Sequence, residues 1–320
     1  MIYPEFLKDG DSIGICAPSA GVGHKLDRYK KSLVNLKTSG FKIIETESVR
    51  NNNPRSTSAK KRAEELDELV TNNKVKAIMC ASGGDYMLEM VPYINFEHIK
   101  ENPKWLCGMS DPTNLLYLVT TSLDIATMYG HNGASYVDED DTSKKVSIDY
   151  LKGNIYPQKS YKKYHSFLDW TELFNVKWVS KENVEFEGRL IGGCLDVIKN
   201  LLGTPLDHTN KFIEKYKEDG IIWYFDIFDM SSLNFYLTLL QFNNAGYFRY
   251  CKGVIIGRVA FKKEDENITY KKASDLALKK IPHILEADIG HVDPTMTLIN
   301  GAYTKVSYKD GKGKIKFTLK

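Results

Sequence analysis

Residues 104–116, KWLCGMSDPTNLL, hold a strand, a turn and a helix start within thirteen positions. The apolar run KWLCG stops at Gly108. Pro112 suits the first turn of a helix, where its missing N–H would have no partner anyway. A run with helical spacing follows. The spacing therefore predicts a strand, a sharp turn at Ser110, and a helix. The same alternation recurs on both sides. SIGICAPS (12–19), FKIIETE (41–47), VKAIMCASGG (75–84) and IATMYGHNG (125–133) read as buried strands. LDRYKKSLVNLKTSG (26–40) and AKKRAEELDELVTN (59–72) read as amphipathic helices. Strands alternating with helices imply βαβ units on a parallel sheet.

Residues 138–185 break this rhythm. DEDDTSKK (138–145) is charged and turn-like, and YPQKSYKKYHSFLDWTELFNVKW (156–178) is aromatic and irregular. Long ordered connectors of this kind often carry function. New strand and helix signals then appear: GIIWYFDIFD (220–229), SLNFYLTLLQF (232–242), GVIIGRV (253–259) and KKASDLALKKI (271–281). The expected fold is α/β: an N-terminal parallel-sheet domain with flanking helices, then a smaller C-terminal α/β domain with a mixed sheet. The expected boundaries are 1–165, a connector at 166–185, and 186–320.

Composition excludes several classes. Over 320 residues, 44 basic and 41 acidic side chains leave a formal charge of +3. That balance does not suggest a nucleic-acid footprint, which needs a clustered basic face. The lysine-rich end KDGKGKIKFTLK (309–320) alternates charge with apolar residues, as a hairpin with a solvated face does. No window approaches the roughly 18 apolar residues of a membrane span. The N-terminus lacks a basic region followed by an apolar one. A cytoplasmic protein without membrane contact is expected. The five cysteines form no CxxC pair and lie mostly in apolar runs, as buried free thiols do. A catalytic thiol at Cys80 or Cys107 is the weaker alternative.

In a parallel sheet the site lies at the C-terminal strand ends. Those ends here are APSAG, SGGD, GMSD and GHNG. At Ser110 a strand-turn-helix would expose the hydroxyl beside amide donors and a helix N-terminus. Read alone, Ser110 or Asp111 is simply an N-cap.

The rest of the chain adds context. CASGGDYMLEMVPYINFEHIKENPKWLCGMSDPTNLL (80–116) resembles the serine LD-carboxypeptidase family, peptidase S66, which includes microcin C immunity proteins. GICAPS (14–19), GRLIGGCLDVI (188–198) and DIGHVDPTMTLINGA (288–302) resemble it in the same order. The resemblance implies a Ser–Glu–His triad without metal or other cofactor. The nucleophile falls on Ser110 and the histidine on His291. The family glutamate falls on Asp226 in IIWYFDIFD (221–229), with Asp229 a second candidate. On an unchanged backbone, aspartate would leave the carboxylate more than about 1 Å short, and a gap of about that size can lower the rate roughly a hundredfold. The amides of Gly84 or Asp85, with that of Asp111, are the expected oxyanion donors, and Gly83 shares their turn. His131 and Asn132 are candidate pocket residues. Gly192 and Gly193 read as a packing site.

The resemblance implies a small peptide or peptidyl-nucleotide substrate and a homodimer. In the immunity branch a tryptophan holds the nucleobase, and Trp170 and Trp178 are candidates; packing of the connector is the alternative for each. Cleavage of muropeptides in cell-wall recycling is the alternative within the family. A peptide- or nucleotide-binding protein with impaired catalysis is the alternative outside it. A dinucleotide-binding oxidoreductase is disfavoured, because GICAPSAG lacks the GxGxxG turn.

Overall fold

The computed structural model describes residues 1–138, 141–166 and 171–320. The chain divides into two compact units, residues 1–155 with 297–300, and residues 156–296 with 301–320.

The first unit alternates β1 (Ser12–Cys16), α1 (Leu26–Thr38), β2 (Lys42–Glu45), α2 (Ala59–Thr71), β3 (Val75–Cys80), α3 (Phe96–Glu101), β4 (Trp105–Gly108), α4 (Thr113–Leu123), β5 (Thr127–Tyr129) and α5 (Thr142–Leu151). A strand from far down the chain, Leu298–Asn300, completes its sheet antiparallel to β5. The five strands β5-β4-β3-β1-β2 are parallel in that order. Strands β1, β4 and β5 are buried along their whole length. That is why they read as unbroken apolar runs: helices cover both faces of such a sheet. Register aligns Cys16 with Cys80 and Gly108 with Tyr129, so the loops that follow share one edge.

The stretch read as turn-like and irregular holds regular elements, a helix and the short strands Gln158–Lys159, Lys163–His165 and Leu173–Asn175. Thr142–Leu151 is helical. The Asp141 carboxylate accepts hydrogen bonds from the N–H groups of Ser143 and Lys144, capping a helix that buries Val146, Tyr150 and Leu151. The charges of DEDDTSKK hide this cap, because a capping aspartate looks like a turn residue.

The second unit comprises β6 (Gln158–Lys159), β7 (Lys163–His165), β8 (Leu173–Asn175), β9 (Val184–Cys194), α6 (Leu195–Ile198), α7 (Thr209–Lys215), β10 (Ile221–Asp226), α8 (Ser232–Asn244), β11 (Cys251–Gly257), α9 (Tyr270–Leu278) and β12 (His283–Ala287). Counting the Leu298–Asn300 strand as β13, the chain ends in β14 (Tyr303–Lys309) and β15 (Lys312–Thr318). The main sheet runs β12-β11-β10-β9-β14-β15-β6, with β9 to β12 parallel and the rest antiparallel. Asp226 pairs with Cys194 at the C-terminal ends of β10 and β9. Beneath lies an aromatic core in which Trp223 meets Phe225, Phe242 and Tyr247, with ring centroids 5.3–6.1 Å apart. Each such ring, fully buried, contributes about 1.5–3 kcal/mol. The β14–β15 hairpin exposes Lys312, Lys314 and Lys316 and buries Ile315 and Phe317. Among the described residues no helix is long and apolar enough to cross a membrane.

Candidate active site

Ser110 sits between β4 and α4 with φ of +73°, a left-handed conformation that few non-glycine residues adopt. Neighbours on every side impose it. The Ser110 N–H donates to the Tyr129 hydroxyl at 3.1 Å. Asn132 brackets Met109, accepting from its N–H at 3.0 Å and donating to its carbonyl at 3.2 Å. Gly83 packs against the serine: a Cβ there would lie 3.0 Å from Ser110 Cβ and 3.1 Å from Oγ. Strain of this kind gathers at functional turns, where the surroundings over-determine it.

Asp111 is buried and its carboxylate is occupied. Its Oδ2 accepts from Ser19 Oγ and, at 2.8 Å, from Met87 N–H, and its Oδ1 accepts from Asn114 at 2.9 Å. Burial raises its pKa, and the Ser19 and Met87 hydrogen bonds oppose that rise. The side chain ties three loops together. Among the described residues, the N–H groups of Gly84, Asp85 and Asp111 donate to no protein acceptor.

In the second unit, Asp226 ends β10 and is fully buried, while His291 is 9% exposed. Asp226 Oδ2 lies 2.9 Å from His291 Nδ1, and Oδ1 accepts from the His291 N–H at 3.3 Å. The shorter acid thus still comes within ion-pair distance of the imidazole. Burial disfavours the imidazolium, but the Asp226 charge and hydrogen bond outweigh it and hold His291 above its ordinary pKa. The Phe228 ring packs 4.5 Å from the imidazole. Asp196 fixes that loop by accepting from the N–H groups of Phe228 at 3.0 Å and Asp229 at 3.3 Å. The Asp229 carboxylate itself is exposed and pairs with Lys263 at 2.9 Å, not with His291.

Trp178 requires a correction. Its indole is fully buried in the second unit, with Nε1 donating to Asp288 at 2.9 Å and Gly313 packed on its ring. A face already covered by protein cannot stack on a base, so Trp178 is core. Trp170 lies outside the described residues. His131 is buried with Nε2 3.0 Å from Ser143 Oγ, and burial, with Lys144 nearby, pushes it down to about 4. It is a neutral structural group. Gly192 lets β9 and β10 approach: a Cβ there would meet the Tyr224 carbonyl at 1.9 Å. The cysteines form no disulfide, and burial pushes Cys107 up to about 12, far from a reactive thiolate. Among the described residues no cluster of three or more His, Cys, Asp or Glu is placed to hold a metal. Asn132, expected as a pocket residue, braces the turn instead, and Tyr129 escaped the sequence reading, because it lies more than ten residues from Ser110.

The sequence profile of the LD-carboxypeptidase N-terminal domain matches residues 13–130, and that of the C-terminal domain matches 187–306. The chain belongs to the peptidase S66 family. Two proteins provisionally named as carboxypeptidases are similar to it. One, from Vibrio cholerae, is 29% identical over 64% of this chain and 66% of its own length. The other, YocD of Bacillus subtilis, is 28% identical over 98% of both. The microcin C7 self-immunity protein MccF of Escherichia coli is 28% identical over 62% of this chain and 63% of its own length. Its solved apo structure shares the fold with a TM-score of 0.85, 22% identity and 99% coverage of both chains. A muramoyltetrapeptide carboxypeptidase from Oxalobacter formigenes shares it with a TM-score of 0.75, 21% identity and 96% and 98% coverage.

Proposed function

We propose that the protein is a serine-type amide hydrolase that removes the C-terminal group of a small peptide. The observation that carries this reading is the Asp226–His291 pair. A buried carboxylate 2.9 Å from Nδ1 orients an imidazole and favours its protonated form. In the reaction, His291 takes the proton of Ser110 Oγ as the oxygen attacks the substrate carbonyl. The oxyanion is held by the N–H of Asp111 with that of Gly84 or Asp85. His291 then returns the proton to the departing amine, leaving an acyl-serine, and water hydrolyses that ester by the same steps in reverse. The seated Asp226 argues against the impaired binding protein.

For the substrate we infer a peptidyl-nucleotide of the kind removed by microcin immunity. Solved MccF structures hold glutamyl sulfamoyl guanosine and aspartyl sulfamoyl adenosine. A muropeptide with a C-terminal D-residue is the second reading, favoured by the relative named as a carboxypeptidase that matches over nearly its full length. Incubation with a peptidyl-adenylate analogue bearing a phosphoramide, and separately with an L,D-tetrapeptide, followed by mass spectrometry, tests both. Loss of the terminal group from either supports hydrolysis, and intact compounds with wild-type protein reject it.

A further inference from the structure

Lys25 closes the short helical turn Gly23–Lys25 that leads into α1. Its Nζ donates to Ser82 Oγ at 2.7 Å, and Ser82 is buried. Ser82 precedes Gly83, the residue whose Cα abuts Ser110. This places the ammonium one residue from the wall of the nucleophile turn. Among the described residues Lys25 has no carboxylate partner. Three other shielded cations do have one: Lys144 reaches Asp141 at 2.5 Å, Arg189 reaches Asp219 at 2.6 Å, and Arg258 reaches Asp288 at 3.1 Å. Lys104, which has none, instead donates to two backbone carbonyls, those of Leu69 and Asn72. Burial and then the nearby Arg28 hold Lys25 below the ordinary lysine range, whereas an acid would push it the other way. An ammonium has three donors, and Ser82 uses one. A half-buried cation with spare donors and no anion is an incomplete pair.

We propose that Lys25 is a specificity-determining residue that binds the anionic group on the leaving side of the scissile amide. This rests on the reading of Ser110 as nucleophile. Both substrate kinds carry such a group: a C-terminal D-residue has its carboxylate one carbon from the scissile nitrogen, a phosphoramide bears its charge on the phosphoryl oxygens attached next to that nitrogen, and an acyl sulfamate bears it on the nitrogen and its sulfonyl oxygens. A lysine is a point charge that accepts planar and tetrahedral anions alike. Recognition of the charge, rather than of the residue bearing it, marks the substrate's end.

Equilibrium binding to a Ser110→Ala background tests this without turnover, so failure of the hydrolase reading does not affect the outcome. Two ligand pairs are compared: an L,D-tetrapeptide with its C-terminal amide, and aspartyl sulfamoyl adenosine with 5′-aspartylamido-5′-deoxyadenosine, which lacks the sulfamate. Lys25→Met should weaken the charged member of one pair by about 10- to 100-fold, the span of a charge-assisted hydrogen bond. Its uncharged member should change less than threefold, and Lys25→Arg should restore most of the affinity. The pair that responds identifies the source of the anion. Lys25→Gln serves as the second neutral variant should Lys25→Met not fold. Equal weakening of charged and uncharged members, no weakening at all, or no binding of either charged ligand would overturn the proposal.

Discussion

The Cα of Gly290 presses on the carboxylate of Asp226, so closely that a Cβ there would fall 1.8 Å from Oδ1. Gly290 has φ of +88°, which only glycine adopts without strain. The loop carrying His291 is thus closed over a short acid. A glutamate at 226 has no room for its extra methylene without displacing Gly290 or His291.

Asp226→Glu is therefore expected to lower kcat by at least about tenfold, since misplacement of about 1 Å costs rates of that order or more. This reverses the expectation from chain length alone, that the family's longer acid improves reach. Asp226→Asn removes the charge while keeping the size, and should lower kcat by about 10²–10⁴-fold. Asp229→Asn should change it less than twofold. Steady-state kinetics on the three variants would decide. Full activity in Asp226→Asn removes the acid from the triad.

The pH dependence has a definite sign. As the proposed base, His291 would act only when neutral, so kcat/KM should rise with pH as it loses its proton. Asp226 holds its pKa above the ordinary value near about 6.5. The acid limb of the profile should accordingly lie above that value, and should move down in Asp226→Asn, where burial is opposed only by the weaker pull of Asp196. Stability runs the other way. A raised histidine contributes fully below its unfolded pKa, and the contribution fades as pH rises through the folded one. The difference in urea midpoint between wild type and Asp226→Asn should therefore be larger at pH 6 than at pH 9. An acid limb below the ordinary histidine value would contradict the pairing.

Strand and helix alternation carried the fold of the first unit, because buried parallel strands leave unbroken apolar runs such as SIGIC and WLCG. The turn at Ser110 was legible for a similar reason: Gly108 and Pro112 punctuate it. Helix α5 was not, since its cap, Asp141, sits among other charges. Nor were the groups that hold the turn. Tyr129 and Asn132 reach Ser110 and Met109 through the pairing of β4 with β5, and a pairing register is a long-range fact. Trp178 illustrates the converse. An aromatic residue in an irregular connector looks like a binding residue, yet Asp288, 110 positions away, satisfies its N–H inside a core.

Trp178→Phe tests that last assignment. The phenyl ring fills most of the space but leaves Asp288 without one donor, while Arg258 and the Tyr161 N–H remain. A buried group losing a partner costs about 1–3 kcal/mol. Urea unfolding should show a loss of that size, with KM for any substrate changed less than twofold. A large rise in KM with stability intact would return Trp178 to the binding site.

The left-handed turn at Ser110 permits a separation of chemistry from strain. Ser110→Ala and Ser110→Gly both remove the hydroxyl, so hydrolysis should vanish in both. Their stabilities should differ. Alanine keeps a Cβ at φ of +73°, a conformation that costs an L-residue about 1–2 kcal/mol. Glycine is free of that cost but loses about 0.4–1 kcal/mol more chain entropy on folding. The difference favours Ser110→Gly over Ser110→Ala by up to about 1.6 kcal/mol, measurable by urea unfolding of the pair. If the alanine variant is the more stable, the turn stores no strain. Ser110 would then be an ordinary residue of the loop rather than one held for its hydroxyl.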